Sequence, residues 1–379
     1  MGIVLSRIAR AAAFVLAFAA ALSGRASAQD LVTVQIGALG EHAVPEVVQL
    51  GQGMLAYDRW LNAHGGVGGR RVALLQLDDG MDPKRFAQRF AQAQEHKPLA
   101  ILSPFGSPSV QYMLSNRLLD AANVVVLNVI PSSESFRSPG HPMLYHVRAG
   151  EGQELESIVG HVKTLGISRL AMVYFDTPGG RSALAAAEQA VARIGGVELA
   201  GFKAGFDPAS EQAVARQVAG DSAPAVVVTG PPQFIEDIVA ALRGPDAAPQ
   251  YIYTTSYLVP SELFKRIGAK VRGIGVVQVF PNPSGLSLPL QREFRAAMRE
   301  AFPDESGYSQ YHLEGYVCAR LFAEVARRMH GDSAREFVHA LRSMGEIDLG
   351  GLRLDFRHGR TGGRYAAIGV MDDTGRLEY

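Results

Sequence analysis

Short runs of β-branched and other apolar residues alternate with amphipathic stretches along most of the chain. We interpret the short runs as strands and the amphipathic stretches as helices, because a helix repeats its apolar face about every 3.6 residues. Most of the short runs are continuously apolar, which is typical of strands in a parallel sheet that is covered on both faces. The predicted strands cover residues 32–39, 72–77, 100–102, 124–129, 170–175, 225–229, 251–254 and 275–279.

The predicted helices lie between these strands and after them. They cover residues 49–63, 83–94, 110–121, 151–165, 180–194, 210–219, 233–242, 260–267, 289–301, 311–329 and 334–344. The Gly-rich end of the chain adds short apolar runs at 352–356 and 365–371, which predict antiparallel strands at a sheet edge. The alternation predicts an α/β fold with two doubly wound parallel sheets, and 379 residues agree with two domains of ordinary size.

The first 28 residues have the three parts of an export signal. Arg7 and Arg10 precede an apolar run over residues 11–22, and Ala26-Ser27-Ala28 supplies the small residues of a cleavage site. The run is too short to cross a bilayer about 30 Å thick at about 1.5 Å per residue. No cysteine lies near the cleavage point to carry a lipid. We therefore expect residues 1–28 to be removed and the rest of the chain to be released into the periplasm without a membrane anchor.

Charge and cysteine content exclude several classes of function. Lysine and arginine together number 37, aspartate and glutamate also number 37, and the chain has no long basic run. Such a chain is not expected to bind nucleic acid or an anionic membrane surface. The single cysteine, Cys318, excludes a disulfide framework, and no two of the ten histidines are spaced three or four residues apart. We expect no metal site and no cofactor.

The chain also lacks the common catalytic motifs. It contains no G-x-S-x-G, no H-E-x-x-H, no Walker loop and no G-x-G-x-x-G after a predicted strand. The GGVGG run at residues 65–69 follows a predicted helix and precedes a strand, which is the reverse of a phosphate-binding loop. We therefore expect a protein that is not an enzyme. An exported hydrolase is the alternative, and it needs a nucleophile–base pair that the sequence does not display.

Open parallel sheets bind ligands at the carboxyl ends of their strands, so the loops after the predicted strands form the candidate binding site. They offer hydroxyl groups, backbone amides and an aromatic ring to a ligand between the two sheets. Each loop also has a plainer interpretation, as a helix cap or a polar turn. The candidate residues are Glu41, His42, Gly106, Ser107, Ser109, Ser132 and Ser133 in the first half, and Asp176, Pro178, Pro231, Thr255, Ser256 and Tyr257 in the second.

One segment is distinctive enough to indicate a family. Residues 56–72 read AYDRWLNAHGGVGGRRV, followed by Asp-Asp at 78–79 and Asp-Pro at 82–83. Further along are YHVR at 145–148, VYFD at 173–176 and LGGLRLDF at 349–356. In this order the motifs resemble the leucine/isoleucine/valine-type periplasmic solute-binding proteins, and the resemblance covers residues 30–379.

The resemblance implies a type I periplasmic-binding fold, with two lobes that close on a small ligand by a hinge motion. The chain would cross between the lobes near Arg148, near residues 279–282 and near residues 345–350. The first lobe would contain residues 30–148 and about 283–347. The second lobe would contain residues 149–282 and about 348–379.

The resemblance also assigns roles to residues of the first lobe. In family members that bind amino acids, hydroxyls and backbone amides of this lobe hold the ligand carboxylate. The corresponding residues are Gly106 with Ser107, and Ile130 with Ser132.

The second lobe departs from the family pattern. Pro178 and Pro231 stand where aromatic residues are usual, and Thr255-Ser256 stands where a glutamate binds the ligand ammonium. An unpaired ammonium in a buried site would cost several kcal/mol. We therefore expect a carboxylate without an amine, or an amide, to fit better than a branched-chain amino acid. Asp176 is the alternative source of the missing acid.

These observations predict a transport receptor. We expect it to bind a small carboxylate- or amide-bearing solute as a monomer and to deliver it to the permease subunits of an ABC transporter. A ligand-sensing subunit of the same fold, which feeds a membrane receptor or kinase, is the alternative that the sequence leaves open.

Overall fold

The computed structural model describes residues 30–244, 249–305 and 307–379. Strands and helices alternate through these residues and build two separate sheets, so the prediction of an α/β fold with two parallel-sheet lobes is confirmed. Residues 1–28, the expected export signal, lie outside the described residues. Within the described part, no helix is both long enough and apolar enough to cross a membrane.

The first sheet has five parallel strands in the order β2-β1-β3-β4-β5. Val34 in the middle of β1 is fully buried and lies between Leu75 and Ile101 of the neighbouring strands. The strands are β1 (Leu31–Gly37), β2 (Val72–Asp78), β3 (Ala100–Leu102), β4 (Val125–Leu127) and β5 (Leu144–Tyr145). The helices between them are α1 (Pro45–Ala63), α2 (Pro83–Gln94) and α3 (Ser107–Ser115).

The second sheet continues the alternation. Its parallel strands are β6 (Arg169–Phe175), β7 (Glu198–Ala204), β8 (Ala225–Thr229), β9 (Tyr251–Thr254) and β10 (Ile274–Gln278). Its helices are α4 (Glu151–Thr164), α5 (Pro178–Ile194), α6 (Pro208–Asp221), α7 (Pro232–Leu242) and α8 (Pro260–Ile267). The sequence pattern misses β7, an edge strand whose residues are mostly half-buried or exposed and which contains Gly201 and Lys203.

The rest of the chain returns to the first lobe and then completes the second sheet. It forms α9 (Pro289–Ala301), α10 (Gln310–Ala326), α11 (Ala334–Ser343), β11 (Glu346–Asp348), β12 (Arg353–Asp355), β13 (Ala367–Met371) and β14 (Leu377–Glu378). β13 pairs antiparallel with β10, and β14 pairs antiparallel with β13. The predicted antiparallel edge is therefore present for the run at 365–371, whereas the run at 352–356 pairs antiparallel with β11 in a separate two-stranded sheet.

Local side chains fix where several helices begin. Asp82 accepts a hydrogen bond of 2.7 Å from the backbone amide of Arg85 at the start of α2. Thr177 caps α5 and Asp207 caps α6 in the same way. Each of these three helices has proline in its first turn, where the missing N–H costs nothing.

Helices α1 and α10 form the most extensive helix contact of the first lobe. They cross at two glycines, because a Cβ on Gly53 would lie 1.9 Å from the carbonyl oxygen of His312. A Cβ on Gly315 would lie 2.0 Å from the carbonyl oxygen of Leu50. The absence of side chains at these positions lets the two backbones approach closely.

The β11–β12 hairpin packs against the first lobe. Leu354 and Phe356 belong to the same buried cluster as Tyr145 and the apolar face of α10, and the rings of Tyr145 and Phe356 lie 5.9 Å apart. The chain then enters the second sheet at β13. The lobe boundary near residue 348 stays a prediction.

Candidate ligand-binding cleft

The loops that follow β4 and β9 meet between the lobes. Ile130 and Ser132 follow β4 in the first sheet, and Thr255 and Ser256 follow β9 in the second. All four residues are at most 3% exposed. The carboxyl ends of these strands thus face each other, which is where an open parallel sheet places its ligand.

Tyr257 joins these two loops directly. Its hydroxyl accepts a hydrogen bond of 2.6 Å from the backbone amide of Ser132 and donates one of 3.2 Å to the carbonyl oxygen of Ile130. The hydroxyl of Ser132 lies 3.0 Å from the same phenol oxygen. Burial raises the pKa of Tyr257, so the phenol stays neutral and keeps the proton that it donates.

Arg148 lies in the first crossing and contacts both lobes. Its guanidinium donates 3.2 Å to the carbonyl oxygen of Ile130 and 2.5 Å to the hydroxyl of Ser256. It also lies 5.2 Å from the ring centroid of Tyr257 and 3.7 Å from the carboxylate of Glu314 on α10. Burial alone would lower the pKa of Arg148, but the neighbouring carboxylates more than offset this effect and the net shift is upward.

Asn128 holds this pair of charges in place. It has a left-handed backbone with φ of 61°, which asparagine tolerates better than most residues. Its side-chain oxygen accepts from the backbone amide of Arg148 at 3.2 Å, and its side-chain nitrogen donates to Glu314 at 2.8 Å. The end of β4 therefore orients both members of the ion pair.

Two carboxylates from the first turn of α4 lie on the second-lobe side of the candidate cleft. Glu154 accepts from the amide of Ser256 at 2.7 Å and from its hydroxyl at 3.0 Å. Glu151 accepts from Thr229 at 2.9 Å, and Thr229 lies 3.3 Å from the hydroxyl of Thr255. Burial raises the pKa of Glu151 to about 7, and burial likewise raises the pKa of Glu154. The second lobe thus places carboxylates beside the two residues that replace the family's glutamate.

Arg137 stabilises the loop after β4 by hydrogen bonds. Its guanidinium donates to the carbonyl oxygens of Ser132 and Ala149 and to the hydroxyl of Thr361. Burial lowers the pKa of Arg137 to about 10, which leaves it charged at neutral pH. These bonds tie the first-lobe loop to the crossing that follows β5.

The start of α3 offers a second group of donors in the first lobe. Gly106 has φ of 88°, a conformation that favours glycine, and its carbonyl oxygen accepts from the amide of Val110. Ser107 is exposed at the first helical position, and Ser109 is buried two residues later in the same turn. A helix N-terminus carries unpaired amides and partial positive charge, which favour an anion.

Five other predicted residues lie apart from this contact. Glu41 and His42 are exposed in the loop after β1, and Pro178 and Pro231 are exposed at the starts of α5 and α7. Ser133 is half-buried, and its hydroxyl lies 3.0 Å from that of Ser135.

Asp176 is bound to cations of its own lobe. Its carboxylate lies 2.9 Å from Arg181 and 3.2 Å from Lys203. These two cations already pair with the carboxylate at the end of β6, and its contact with a ligand stays a prediction. Among the described residues, no group of three or more His, Cys, Asp or Glu side chains is placed to hold a metal ion.

A family model described as periplasmic binding protein matches residues 48–375, which is most of the chain. The chain belongs to this family. The predicted resemblance to the leucine/isoleucine/valine-type proteins and the predicted type I fold are confirmed. Membership implies a periplasmic or extracellular location.

Several solved structures are similar to this periplasmic binding protein. It is 43% identical to the extracellular ligand-binding receptor from Verminephrobacter eiseniae ef01-2, over 92% of this chain and 100% of that chain, with a TM-score of 0.88. A possible leucine/isoleucine/valine-binding protein from Rhodopirellula baltica SH 1 is 20% identical over 94% of this chain and 98% of that one, with a TM-score of 0.81. An ABC transporter substrate-binding protein from Desulfitobacterium hafniense, in complex with Leu, is 16% identical over 93% of this chain and 100% of that one, with a TM-score of 0.75. Comparison with the curated proteins gives no match.

The charged residues of the cleft in this periplasmic binding protein are not among the ligand-site residues predicted from the sequence. Arg148 is predicted as a crossing point, but not as a contact between the lobes. Glu151, Glu154 and Glu314 are not predicted at all, although each lies in a helix and is buried. A carboxylate on the apolar α10 is the signal that was available, since buried carboxylates need a partner.

Proposed function

We propose that this protein is the substrate-binding protein of an ABC transporter, and that it captures a small carboxylate- or amide-bearing solute between its lobes. One observation carries the proposal. Hydrogen-bonding groups of the first lobe and of the second lobe converge at the carboxyl ends of β4 and β9, next to the first crossing. A receptor that closes by a hinge brings such polar surfaces of its two lobes together beside its ligand.

The first lobe favours the negative end of a ligand. The N-terminus of α3, with Gly106 and Ser107, presents amide and hydroxyl donors. Those donors suit a carboxylate or an amide oxygen.

The second lobe favours a ligand that also carries a positive group. Glu151 has Thr229 as its hydrogen-bond partner, and burial raises its pKa to about 7 because the ionised carboxylate loses contact with water. An ammonium there would pair with the carboxylate and favour its ionised form. The proposed ligand class therefore includes amino acids as well as related organic acids.

We further propose that the protein releases its ligand unchanged. The hydroxyl of Ser132 contacts Tyr257, and that of Ser256 contacts Glu154 and Arg148. Ser309 and His312 lie 3.0 Å apart, but His312 accepts from the backbone amide of Ser309, and the Ser309 hydroxyl donates to Gln49. Ser309 and His312 together cap the start of α10, and burial lowers the pKa of His312 to about 4. The helix cap therefore explains why the two side chains lie close together, without a nucleophile–base pair.

A thermal-stability scan over amino acids, their deaminated analogues, amides and aromatic acids tests the proposal. A ligand at 100 times its Kd should add about 2.7 kcal/mol to the free energy of unfolding. We expect stabilisation by one chemical series, with no turnover of the bound compound by mass spectrometry. A flat response across the whole library, or a chemically altered ligand, would contradict the proposal.

A matched pair of serine variants then locates the anion subsite. Ser107→Ala should weaken binding of the best acid by roughly 1–3 kcal/mol, because a hydrogen bond to a charged group is lost. Ser115→Ala, at the other end of α3, is the control and should leave the affinity unchanged. Equal affinities in both variants would remove Ser107 from the site.

A further inference from the structure

We propose that Tyr257 is a latch between the lobes, and that its hydroxyl sets how readily the cleft closes instead of binding the ligand. The inference presupposes the two-lobe closure of the proposed function. It does not depend on which solute is bound. It assigns Tyr257 a role that differs from the ligand contact predicted for it.

The hydroxyl of Tyr257 makes its hydrogen bonds to the first lobe. The Tyr257 hydroxyl contacts the amide of Ser132, the hydroxyl of Ser132 and the carbonyl oxygen of Ile130. All three groups belong to the first lobe, and both residues are 1% exposed. The phenol thus occupies the first-lobe groups that the family resemblance assigns to a ligand carboxylate. Because these groups and the phenol satisfy one another, they are not available to a ligand while the contact persists.

Contacts outside the first lobe also hold the ring of Tyr257 in place. The guanidinium of Arg148 lies 5.2 Å from the ring centroid of Tyr257, in a cation–π contact. The preceding residue, Ser256, is bonded to Glu154 through both its amide and its hydroxyl. Arg148 of the crossing and the bonds of Ser256 within the second lobe therefore orient the ring, whether or not its hydroxyl contacts the first lobe. Little conformational entropy remains to be lost when the latch forms.

Hinge opening would break the contacts of Tyr257 with the first lobe. Tyr257 follows β9 and moves with the second lobe, whereas Ile130 and Ser132 follow β4 and move with the first. Separation of the lobes breaks all three contacts at once. The latch therefore contributes to the stability of the closed form only. Since the apparent Kd equals the intrinsic Kd divided by the closed fraction, weakening the latch weakens the binding of every ligand by the same factor.

Hydrogen exchange at single amides tests the latch without any ligand. The amide of Ser132 donates to Tyr257, whereas the amide of Ile130, two residues earlier, donates to Pro104 within the first lobe. In the Tyr257→Phe variant we expect exchange at Ser132 to become about five- to tenfold faster, the effect of losing one net hydrogen bond. Exchange at Ile130 should not change. Equal acceleration at both amides, or none at Ser132, would overturn the proposal.

A distance measurement tests closure itself. Spin labels at Lys84→Cys in the first turn of α2 and Ala185→Cys in the middle of α5 report the lobe separation, since both residues are exposed and lie on different lobes. Native Cys318 is fully buried, and burial raises its pKa to about 12, so it should not take up label. In Tyr257→Phe we expect the population at the longer distance to grow about five- to tenfold relative to the shorter one. Unchanged distances would overturn the proposal.

Two further variants guard against misfolding and indirect effects. Tyr251→Phe removes a hydroxyl from β9, the strand that precedes Tyr257. Among the described residues that hydroxyl is hydrogen-bonded to the side chain of Gln250, so its loss should leave the distances unchanged. Ser132→Ala removes one latch contact and keeps the amide, so it should open the cleft in the same direction but less than Tyr257→Phe. An opening in Tyr251→Phe as large as that in Tyr257→Phe would overturn the proposal.

Ligand titrations give the final readout. For any two ligands found in the stability scan, Tyr257→Phe should raise the apparent Kd of both by the same factor. A factor that depends on the ligand's head group would show that Tyr257 binds the ligand directly and would overturn the latch. If the scan yields no ligand, the proposed function fails, while the exchange and distance measurements still decide the latch.

Discussion

Arg148 and Glu314 form an ion pair, with 3.7 Å between Nη1 and Oε2, in which each side chain is only 1% exposed. The pair connects the first crossing between the lobes to α10. Since Arg148 also reaches Ser256, this one guanidinium links the first lobe, the crossing and the second lobe. Removal of a single partner from such a pair leaves an uncompensated charge in the interior.

We predict that Arg148→Met lowers the free energy of unfolding by about 3–5 kcal/mol, because Glu314 and Glu154 lose their common partner. Urea denaturation measures the loss. Arg169→Met is the control, since Arg169 forms an exposed pair with Asp221 and should cost less than about 1 kcal/mol. Similar losses in the free energy of unfolding in the two variants would show that the buried ion pair contributes no more to stability than the exposed one. Arg148→Met combined with Glu314→Gln should recover part of the loss.

Asp58 should make the stability of the protein depend on pH. It is 4% exposed on α1, and burial raises its pKa from 3.8 to about 7. The folded state therefore holds a proton that the unfolded state has released above pH 3.8. The contribution of this group is fully present below that pH and is lost as pH rises towards 7, by roughly 1.4 kcal/mol per pH unit.

Asp58→Asn should make the slope of the free energy of unfolding shallower by roughly 1.4 kcal/mol per pH unit between about pH 4.5 and about pH 6.5, an interval that lies between the two pKa values. Other buried acids, such as Glu151, keep their own contributions to the slope. Urea titrations at several pH values in that range give the slope. Glu188→Gln, which changes an exposed carboxylate on α5, should leave the slope as it is in the native protein. A slope in Asp58→Asn as steep as that of the native protein would mean that Asp58 does not hold the extra proton.

Glu151 should decide whether the cleft accepts an amine. Glu151→Gln keeps the hydrogen bond from Thr229 within reach but removes the negative charge, so an amino acid should bind at least about tenfold more weakly. The deaminated analogue should bind as before. Isothermal titration of both compounds against both proteins checks this, with Glu188→Gln as the control.

The same carboxylate predicts how binding varies with pH. Because the pKa of Glu151 is about 7, the fraction that is ionised rises between pH 6 and pH 8. The affinity for an amine-bearing ligand should increase over that interval, and Glu151→Gln should abolish the increase. An amino acid bound with equal affinity at both pH values would argue that its ammonium lies elsewhere.

The crossing of α1 and α10 should not tolerate a methyl group. Gly53→Ala places a Cβ 1.9 Å from a backbone oxygen, so the helices must separate, and we expect the free energy of unfolding to fall by about 2–4 kcal/mol. Gly220→Ala on α6 is the control, since its Cβ would meet nothing within 4 Å. That control should be neutral or stabilising by up to about 1 kcal/mol. Thermal and urea unfolding of the two variants give the comparison.

The elements were predictable wherever the local pattern was decisive. The predicted range 83–94 matches α2 and the range 260–267 matches α8, because a capping residue or a proline marks each beginning. The helix predicted at 110–121 is wrong in both bounds, since α3 covers Ser107–Ser115. The apolar residues Leu118 and Leu119 continue the periodicity, but Arg117 adopts φ of 57° and ends the helix before them.

The sequence by itself determined the α/β alternation, the family and the loops that meet in the cleft, because these depend on local periodicity and on motifs a few residues long. Only the tertiary structure decided the partners. Tyr257 contacts Ser132 across 125 positions of chain, and Asn128 contacts Glu314 across 186. Such pairs depend on strand order and on how the lobes meet, and no periodicity along the chain records either. For the same reason the acids of the cleft come from α4 and α10, and not from the loop where a family pattern would place them.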